Sequence, residues 1–273
     1  MTSDLTVWQA IVLGLVQGAT EFIPVSSSGH LVLVPWLLGW VTPGLVFDTT
    51  VHWGTLVAVL IVFWRDLLRL AMAWIRSLSP RSPTNVHARL AWWILIGTIP
   101  AVLAGYSLED WFEKLFAWPG AVGGFLLVTA AILVLSERFH MTGRSLAGLR
   151  VGDALFIGVA QAFAIAPGIS RSGATIAAGL LRGLERDVAA RYSFLLAIPI
   201  IFGAGLLKLK GLLDVGVAPD QALVLLIGFV TAAVSGWACI RFLLSYLQRG
   251  RLYVFAAYCA TIGIAALVLV SVH

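Results

Sequence analysis

Charged residues are scarce in this sequence. The 273 residues include 18 Lys and Arg and 13 Asp and Glu, together 11% of the chain, whereas soluble proteins average about 25%. The hydrophobic fraction is 60% and the mean hydropathy is +0.97. A globule of this size cannot bury so much apolar surface, so most of that surface must face lipid. The composition excludes a soluble protein and predicts a polytopic membrane protein.

Three further absences narrow the class. The apolar residues do not alternate with polar ones, as a transmembrane β-barrel requires; between Phe125 and Leu135 only Thr129 interrupts the apolar run. Only two cysteines are present, Cys239 and Cys259, and both lie in apolar segments, so they predict neither a disulfide framework nor a metal pair. The basic residues are scattered, which argues against binding of nucleic acid.

Long apolar segments are what the sequence does contain. A membrane-spanning helix needs about 20 apolar residues. Six segments meet that requirement: 47–64, 90–106, 119–136, 192–209, 222–240 and 252–271. Two other apolar stretches, 8–40 and 152–181, are each broken in the middle by Pro, Gly and Ser, which predicts re-entrant hairpins whose polar turns are covered by protein or water.

The basic residues give this layout an orientation. If the loop 65–89 is cytoplasmic, fourteen of the 18 basic residues lie on the cytoplasmic side and only Lys114, Lys208 and Lys210 lie on the other, while Arg171 stays within the membrane. Such a bias is the positive-inside distribution of a multi-pass membrane protein. The first hairpin then enters from the extracytoplasmic side and the second from the cytoplasm.

The two hairpins are related by an internal repeat. An offset of 144 positions places Gln17 on Gln161, Ser26 on Ser170, and Gly29 on Gly173. We therefore expect residues 1–273 to form a single membrane domain of two inverted repeats, about 1–136 and about 150–273. The predicted fold is all-α, with six transmembrane helices plus two re-entrant helical hairpins, and with a site near the midplane where broken helices meet.

Ionisable side chains inside a membrane indicate function, and three of them lie in or beside the broken turns. These are Glu21, His30 and Arg171. Two helix N-termini rich in Ser and Thr, together with one guanidinium, form a site for a concentrated anion, and phosphate or pyrophosphate fits the bidentate geometry of Arg best. Purely structural roles remain open for the same residues: Ser26 and Ser170 as helix caps, His30 as a packing residue, and Glu21 with Arg171 as a structural ion pair. We expect interfacial or structural roles for three further groups: Asp48, His52 and Asp153.

Two motifs carry a family resemblance. They are Gln17-Gly18-Ala19-Thr20-Glu21-Phe22-Ile23-Pro24-Val25-Ser26-Ser27-Ser28-Gly29-His30 and Pro167-Gly168-Ile169-Ser170-Arg171-Ser172-Gly173-Ala174-Thr175. At these motifs the sequence resembles the bacterial undecaprenyl pyrophosphate phosphatases of the bacitracin-resistance type. The resemblance implies a multi-pass protein of the bacterial cytoplasmic membrane that hydrolyses undecaprenyl pyrophosphate to the monophosphate. It also implies recycling of the lipid carrier for peptidoglycan and other envelope polymers, and a divalent cation, Mg²⁺ or Ca²⁺.

The mechanistic hypothesis gives each motif residue a role. Ser27 attacks the terminal phosphorus, His30 takes the serine proton, Arg171 holds the phosphoryl oxygens, and Glu21 binds the metal or orients His30. The family has an acidic or an amide residue at the position of Gln17; this chain has the amide, which cannot serve as a base. Direct attack by water stays open. The predicted substrate-binding residues are Gln17, Ser26, Ser28, Gly168, Ser170, Ser172, Gly173 and Thr175.

The alternative function is a polyprenyl-phosphate transporter or flippase, because inverted repeats with broken helices are typical of transporters. An intramembrane serine protease is disfavoured, since the spans supply no Lys for a Ser-Lys pair and no clear Asp behind His30. We expect the partners to be a polyprenyl pyrophosphate and membrane lipids, and the cavity to open on the extracytoplasmic side. Monomer and homodimer both remain open.

Overall fold

The computed structural model describes residues 5–79, 85–116, 118–140, 143–215 and 219–272. Within these ranges the chain forms eleven α-helices and a short 3-10 helix at Leu146–Gly148. The α-helices are α1 (Val7–Phe22), α2 (Ser27–Leu38), α3 (Leu45–Ser77), α4 (Val86–Ser107), α5 (Glu109–Phe116), α6 (Pro119–Arg138), α7 (Val151–Phe163), α8 (Arg171–Leu181), α9 (Arg186–Val215), α10 (Pro219–Tyr246) and α11 (Tyr253–Val272).

Five of these helices are long and apolar enough to cross a membrane: α4, α6, α9, α10 and α11. They coincide with five of the six predicted segments. The sixth, 47–64, lies within α3, a helix of 33 residues that is not among those five. The prediction of an all-α, multi-span membrane protein is therefore confirmed for the described part of the chain.

Both interrupted stretches form two helices joined by a short turn, α1 to α2 and α7 to α8. Pro24 and Pro167 lie in these turns, and a proline lacks the N–H and the backbone space that would continue a helix. Ser26 and Ser170 then start the next helix, because each side chain accepts a hydrogen bond from the backbone N–H three residues later. The same residue types therefore end one helix and start the next in both stretches.

The two broken stretches also agree in register. Helix α1 begins at Val7 and α7 at Val151, while α2 begins at Ser27 and α8 at Arg171. Both pairs of starting residues are 144 positions apart, which is the offset found in the sequence.

Glycines let each broken stretch pack closely on a helix of the other half. Helix α1 packs along α10, and α7 along α4. A Cβ atom on Gly14 would lie 2.0 Å from Thr231 Oγ1, and one on Gly158 would lie 2.3 Å from the carbonyl oxygen of Gly97. Small residues permit such approach of helix backbones, which is how helices associate in lipid. Gly14 and Gly158 are themselves 144 positions apart.

Aromatic packing fixes the end of α1 against its neighbours. Phe22 and Phe194 are fully buried, and their ring centroids lie 5.3 Å apart in an edge-to-face arrangement. Phe63 of α3 contacts Phe194 in the same manner at 6.3 Å. Edge-to-face pairs stabilise by about 0.5–1.5 kcal/mol beyond their buried area. Phe22, directly after Glu21, is thus held against α9, which packs in turn against α3.

Buried carboxylates order the arginines at one end of the bundle. Asp153 receives hydrogen bonds from Arg144 Nη2 at 2.8 Å and Arg182 Nε at 2.6 Å. Glu137 pairs with Arg186 at 2.6 Å and also accepts the backbone N–H of Leu252 at 2.9 Å. Asp153 is fully buried and ion-paired, which agrees with the structural role expected from the sequence.

Candidate active site

The turns of the two broken stretches touch each other inside the bundle. Ser26 Oγ accepts the backbone N–H of Gly168 at 3.1 Å, and Ser172 Oγ donates to the carbonyl of Ile23 at 3.2 Å. Thr129 on α6 braces the second turn, because its hydroxyl donates to the Gly168 carbonyl at 2.9 Å and accepts the N–H of Ser170 at 3.1 Å. The N-termini of α2 and α8 are thereby fixed side by side.

This contact holds the backbone in an unusual conformation. Ser26 has φ of 72°, the one positive value for a non-glycine residue in the described ranges, and Gly168 has φ of 99°. A side chain at residue 168 would also collide with the carbonyl of Val122, which would lie 2.5 Å from its Cβ. A non-glycine residue at such φ costs about 1–3 kcal/mol and persists only where its surroundings enforce it. The two hydrogen bonds to Ser26 Oγ enforce it here.

Glu21 connects the two turns. Its Oε2 accepts hydrogen bonds from the Ser27 hydroxyl at 2.5 Å and from Gln17 Nε2 at 3.1 Å. Its Oε1 pairs with Arg171 Nη2 at 2.7 Å. Since Ser27 opens α2 and Arg171 opens α8, one carboxylate joins the first residues of two helices from opposite halves. Glu21 is 6% exposed, so these contacts form in a shielded environment.

A cavity of about 240 Å³ adjoins this cluster. Its polar wall includes Glu21, Ser27 and Arg171, and its apolar wall is formed mainly by residues of α9 and the second turn. The predicted residues that line it are Glu21, Ser26, Ser27, Ser28, Ser170 and Arg171. A cavity with one polar end and an apolar wall suits a small anionic group that carries an apolar tail.

Several buried polar atoms around the cavity lack hydrogen-bond partners within the described residues. They are Arg171 Nη1, Thr49 Oγ1 and both amide atoms of Gln161. Buried polar groups are nearly always paired in native proteins, and an unpaired one costs about 1–3 kcal/mol. Their concentration around one cavity indicates that a polar ligand completes the site.

His30 lies apart from the Ser27 hydroxyl that it was expected to deprotonate. Its Nδ1 is 2.7 Å from the Ser26 carbonyl and its Nε2 is 2.8 Å from the Tyr258 hydroxyl. Because a carbonyl only accepts, Nδ1 carries a proton and Nε2 of the neutral ring accepts from Tyr258. In this arrangement His30 supports the start of α2, and the Ser27 hydroxyl donates its hydrogen bond to the Glu21 carboxylate. The assignment of His30 as a catalytic base stays a prediction.

The remaining predicted binding residues mostly support the turns. Ser170 Oγ contacts Ser172 Oγ at 3.2 Å and caps α8. Thr175 Oγ1 donates to the Arg171 carbonyl at 2.7 Å and contacts Ser193 Oγ at 2.6 Å, inside the bundle rather than at the cavity wall. Five of the predicted residues lie behind the cavity wall: Gln17, Gly168, Ser172, Gly173 and Thr175. They contribute by holding Ser27 and Arg171 in position.

Sequence reasoning missed part of the cavity wall on α3 and α9. Asp48, His52 and Lys208 line it. His52 Nε2 lies 4.0 Å from Glu21 Oε2, His52 Nδ1 lies 3.7 Å from Asp48 Oδ1, and Lys208 Nζ lies 3.8 Å from Asp48 Oδ2. Asp48 and His52 are four positions apart, so they share a helix face. In the sequence, that four-residue spacing on an otherwise apolar helix was the feature that could have indicated their place at the site.

The carboxylates at the cavity also bear on the expected cation. Within the described ranges no group of three or more His, Cys, Asp and Glu side chains is arranged to hold a metal by itself. Mg²⁺, however, is usually bound by one or two carboxylates together with substrate phosphates. Glu21 and Asp48 both line the cavity, so the donor set fits a cation that binds together with a phosphorylated ligand.

The fold and the site define a multi-span membrane protein with a partly polar cavity between two broken helices. The model of the family described as "Bacitracin resistance protein BacA" matches residues 10–265 of this chain. The chain therefore belongs to that family, as the motifs predicted. It is 44% identical to an undecaprenyl-diphosphatase of Thermomicrobium roseum, over 98% of this chain and 99% of the relative. It is 47% identical to an undecaprenyl-diphosphatase of Desulforudis audaxviator, over 96% of this chain and 97% of the relative.

Proposed function

We propose that this protein hydrolyses undecaprenyl diphosphate to undecaprenyl phosphate and inorganic phosphate. This activity recycles the lipid carrier for peptidoglycan and other envelope polymers and confers resistance to bacitracin. The observation that carries the proposal is the Ser27–Glu21–Arg171 cluster, in which a nucleophile, a base and a guanidinium with one unpartnered nitrogen face the same cavity. The relatives named undecaprenyl-diphosphatase support it over nearly the full chain.

The cluster supplies the parts of a phosphoryl transfer. Glu21 Oε2 takes the proton of Ser27 as Ser27 Oγ attacks the terminal phosphorus. The bond from that phosphorus to the bridging oxygen breaks, and the lipid monophosphate leaves with the proton that Glu21 took. Water then hydrolyses the phosphoseryl group to inorganic phosphate and restores the serine. Arg171 stabilises the negative charge on the phosphoryl oxygens in the transition state, and stabilisation of that charge is the main requirement of phosphoryl transfer.

Substrate binding also prepares the base. Before substrate arrives, Arg171 neutralises Glu21 at 2.7 Å, and an ion-paired carboxylate is a weak base. A diphosphate competes for the same guanidinium, because Arg binds phosphate oxygens in a bidentate fork. As Arg171 turns toward the phosphate, Glu21 loses part of its counter-charge and becomes more basic next to Ser27. The base is therefore strengthened only when a phosphate is present.

A divalent cation, Mg²⁺ or Ca²⁺, is part of the proposal. Glu21 and Asp48 are the residues that would hold it, together with phosphate oxygens. When bound, it supplies positive charge that offsets the negative charge of the diphosphate.

We further propose that the architecture is six transmembrane helices, with α3 as the sixth, plus two re-entrant hairpins, α1–α2 and α7–α8. The helix starts 144 positions apart support two inverted repeats, as does the reciprocal packing of α1 on α10 and α7 on α4. A multi-pass position in the bacterial cytoplasmic membrane follows from the family and the five apolar helices.

The cavity opens to the extracytoplasmic side in this proposal. Asp48, Phe116 and Lys208 line it, and all three lie at helix ends that the positive-inside rule assigns to the outside. The arginines Arg144, Arg182 and Arg186, ordered by buried carboxylates, lie at the other end. A homodimer stays a prediction.

Phosphate release by the purified protein tests the activity. Protein in detergent is mixed with undecaprenyl diphosphate and free phosphate is measured, with Arg171→Ala and Glu21→Ala as comparisons. We expect turnover by wild type and a loss of at least about a hundredfold in both variants, as for removal of a main charge stabiliser. A transporter or flippase with the same broken helices would move labelled lipid across a vesicle membrane without releasing phosphate, and that result would refute the proposal.

A further inference from the structure

Gln161 is a buried glutamine with no partner for its side chain in the part of the chain that the structure describes. It lies on α7, is 1% exposed, and lines the cavity beside Ser27 and Arg171. Neither its Nε2 nor its Oε1 makes a hydrogen bond. A carboxamide that is removed from water and left unpaired destabilises the empty protein, so its presence at this wall points to a polar ligand.

The internal repeat explains why this amide is free. Gln161 is equivalent to Gln17, and both lie on the first helix of a broken stretch. Gln17 donates its Nε2 hydrogen to Glu21, four residues later on the same helix face. At the position equivalent to Glu21 the second half has Ile165, which also lines the cavity. Gln161 therefore has no carboxylate to donate to.

The two halves thus divide the chemistry between them. The first half contributes the carboxylate and the hydroxyl, Glu21 and Ser27. The second half contributes Arg171, at the position equivalent to Ser27, and an amide that its own half leaves unused. The unpartnered groups of the second half, Arg171 Nη1 and Gln161 Nε2, are both hydrogen-bond donors at one cavity, which is what a phosphate requires.

We propose that Gln161 is a substrate-binding residue whose Nε2 donates a hydrogen bond to an oxygen of the diphosphate. The inference rests on the proposed function for the identity of the substrate, and on the geometry for the chemistry of the ligand. Hydrogen bonds between a protein group and a charged ligand change binding by about ten- to a hundredfold. Gln161 therefore contributes to affinity for the diphosphate rather than to proton transfer.

The substitution Gln161→Met separates this role from a structural one. Methionine has a similar volume and no hydrogen-bonding amide, so it removes the buried unpaired group while it fills the same space. If the amide serves a ligand, the empty variant is at least as stable to heat as wild type. A residue that stabilises the fold through its amide would show the opposite change. A matched control is Gln9→Met, because Gln9 has its amide paired with Thr6 at the start of α1, away from the cavity.

The experiment uses inorganic pyrophosphate as the probe, with the full chain in detergent. We measure how the melting temperature rises with pyrophosphate concentration, which gives an apparent Kd, and the KM for undecaprenyl diphosphate. In Gln161→Met we expect both constants to rise at least about tenfold, with no fall in the melting temperature of the empty protein. Gln9→Met should keep both constants and lose some thermal stability. Gln161→Glu, which places a negative charge next to the anion, should bind pyrophosphate more weakly than Gln161→Met.

Three results would overturn the assignment. They are an unchanged Kd for pyrophosphate in Gln161→Met, a melting temperature of that variant below wild type, or binding by Gln161→Glu as tight as by wild type. Because the melting assay needs no turnover, it tests Gln161 even if wild type releases no phosphate from the lipid. In that case the proposed function fails while the anion site is still measured by its own Kd.

Discussion

Ser27 donates a hydrogen bond to Glu21 across the break between α1 and α2, with 2.5 Å between the hydroxyl oxygen and Oε2. The proposed nucleophile and its proposed base therefore belong to different helices of one broken stretch. Their separation depends on the intervening turn, which Ser26 fastens to the second broken stretch through Gly168. The proposed catalytic pair is thus assembled by the contact between the two halves.

The first prediction concerns the covalent intermediate. A reaction of wild type with terminally labelled substrate, quenched in acid, should leave label on Ser27, because the Ser27 Oγ attacks phosphorus in the proposed mechanism. Ser27→Ala should carry no label and lose at least about a thousandfold in phosphate release. The phosphopeptide is identified by mass spectrometry. Slow turnover by Ser27→Ala together with an unlabelled wild type would favour direct attack by water.

The second prediction concerns the geometry of Arg171. Its Nη2 binds Glu21 at 2.7 Å while Nη1 remains unpartnered among the described residues, so one nitrogen is already free for a phosphate oxygen and both can bind the phosphate once it displaces Glu21. Lysine keeps the charge but offers a single nitrogen. We expect Arg171→Lys to reduce kcat/KM for phosphate release at least about tenfold.

A matched control exists for that substitution. Arg191 faces Asp66 at 3.7 Å with about half of its side chain exposed, so Arg191→Lys should change kcat/KM little. Equal activity of Arg171→Lys and wild type would show that a point charge is sufficient at this position.

The third prediction tests whether His30 positions α2 or transfers a proton. Asparagine can place an N–H near the position of Nδ1 and keep the hydrogen bond to the Ser26 carbonyl, but it cannot act as a base. If His30 is a positioning residue, His30→Asn should retain at least about ten times the activity of His30→Ala. A catalytic base predicts equal, severe losses in both variants. The pH–rate profile of His30→Asn checks the same point, because a positioning residue leaves its shape unchanged.

Much of this organisation was predictable from the sequence. The length of the apolar segments predicted five of the helices that now appear as candidate spans, and the paired Pro, Gly and Ser turns predicted two broken stretches. These features depend on local chemistry, namely the proline break and the serine cap, so nearby residues are enough to specify them.

The contacts between segments were harder to predict. Pairing of Ser27 with His30 was expected from helical spacing, but the hydroxyl turns back to Glu21 and His30 turns to Tyr258 on α11, a residue 228 positions away. Asp48 and Lys208 also meet only through the packing of α3 beside α9. Sequence spacing determines which residues share a helix face, whereas such long-range partners depend on how the helices are arranged.

The fourth prediction concerns the cation. Phosphate release should stop when the protein is treated with a chelator and return when Mg²⁺ is added, if Glu21 and Asp48 hold a cation together with the phosphates. Asp48→Asn should raise the Mg²⁺ concentration needed for half-maximal activity by about tenfold. Asp187 lies in the first turn of α9 and outside the cavity wall, so Asp187→Asn serves as the control. Full activity in excess chelator would refute the role of the metal.

The fifth prediction concerns stability at the arginine-rich end. Burial alone would raise the pKa of the Asp153 carboxyl, but hydrogen bonds from Arg144 and Arg182 outweigh it and hold that pKa below its ordinary value. Such a group stabilises the fold above the unfolded pKa of about 3.9, and the stabilisation is lost as the pH falls through the lower, folded pKa. The contribution of Asp153 should therefore be constant between about pH 5 and 8.

Asp153→Asn should lower the free energy of unfolding by about 2–4 kcal/mol, because it removes the charge that two arginines share. Asp66→Asn is the control: Asp66 is partly exposed and its ion pairs are 3.7 and 3.8 Å long, so its loss should cost less than about 1 kcal/mol. Melting temperatures in detergent at pH 5 and pH 8 measure both effects. Equal melting temperatures for Asp153→Asn and Asp66→Asn would contradict the prediction, since the buried carboxylate would then contribute no more than a surface one.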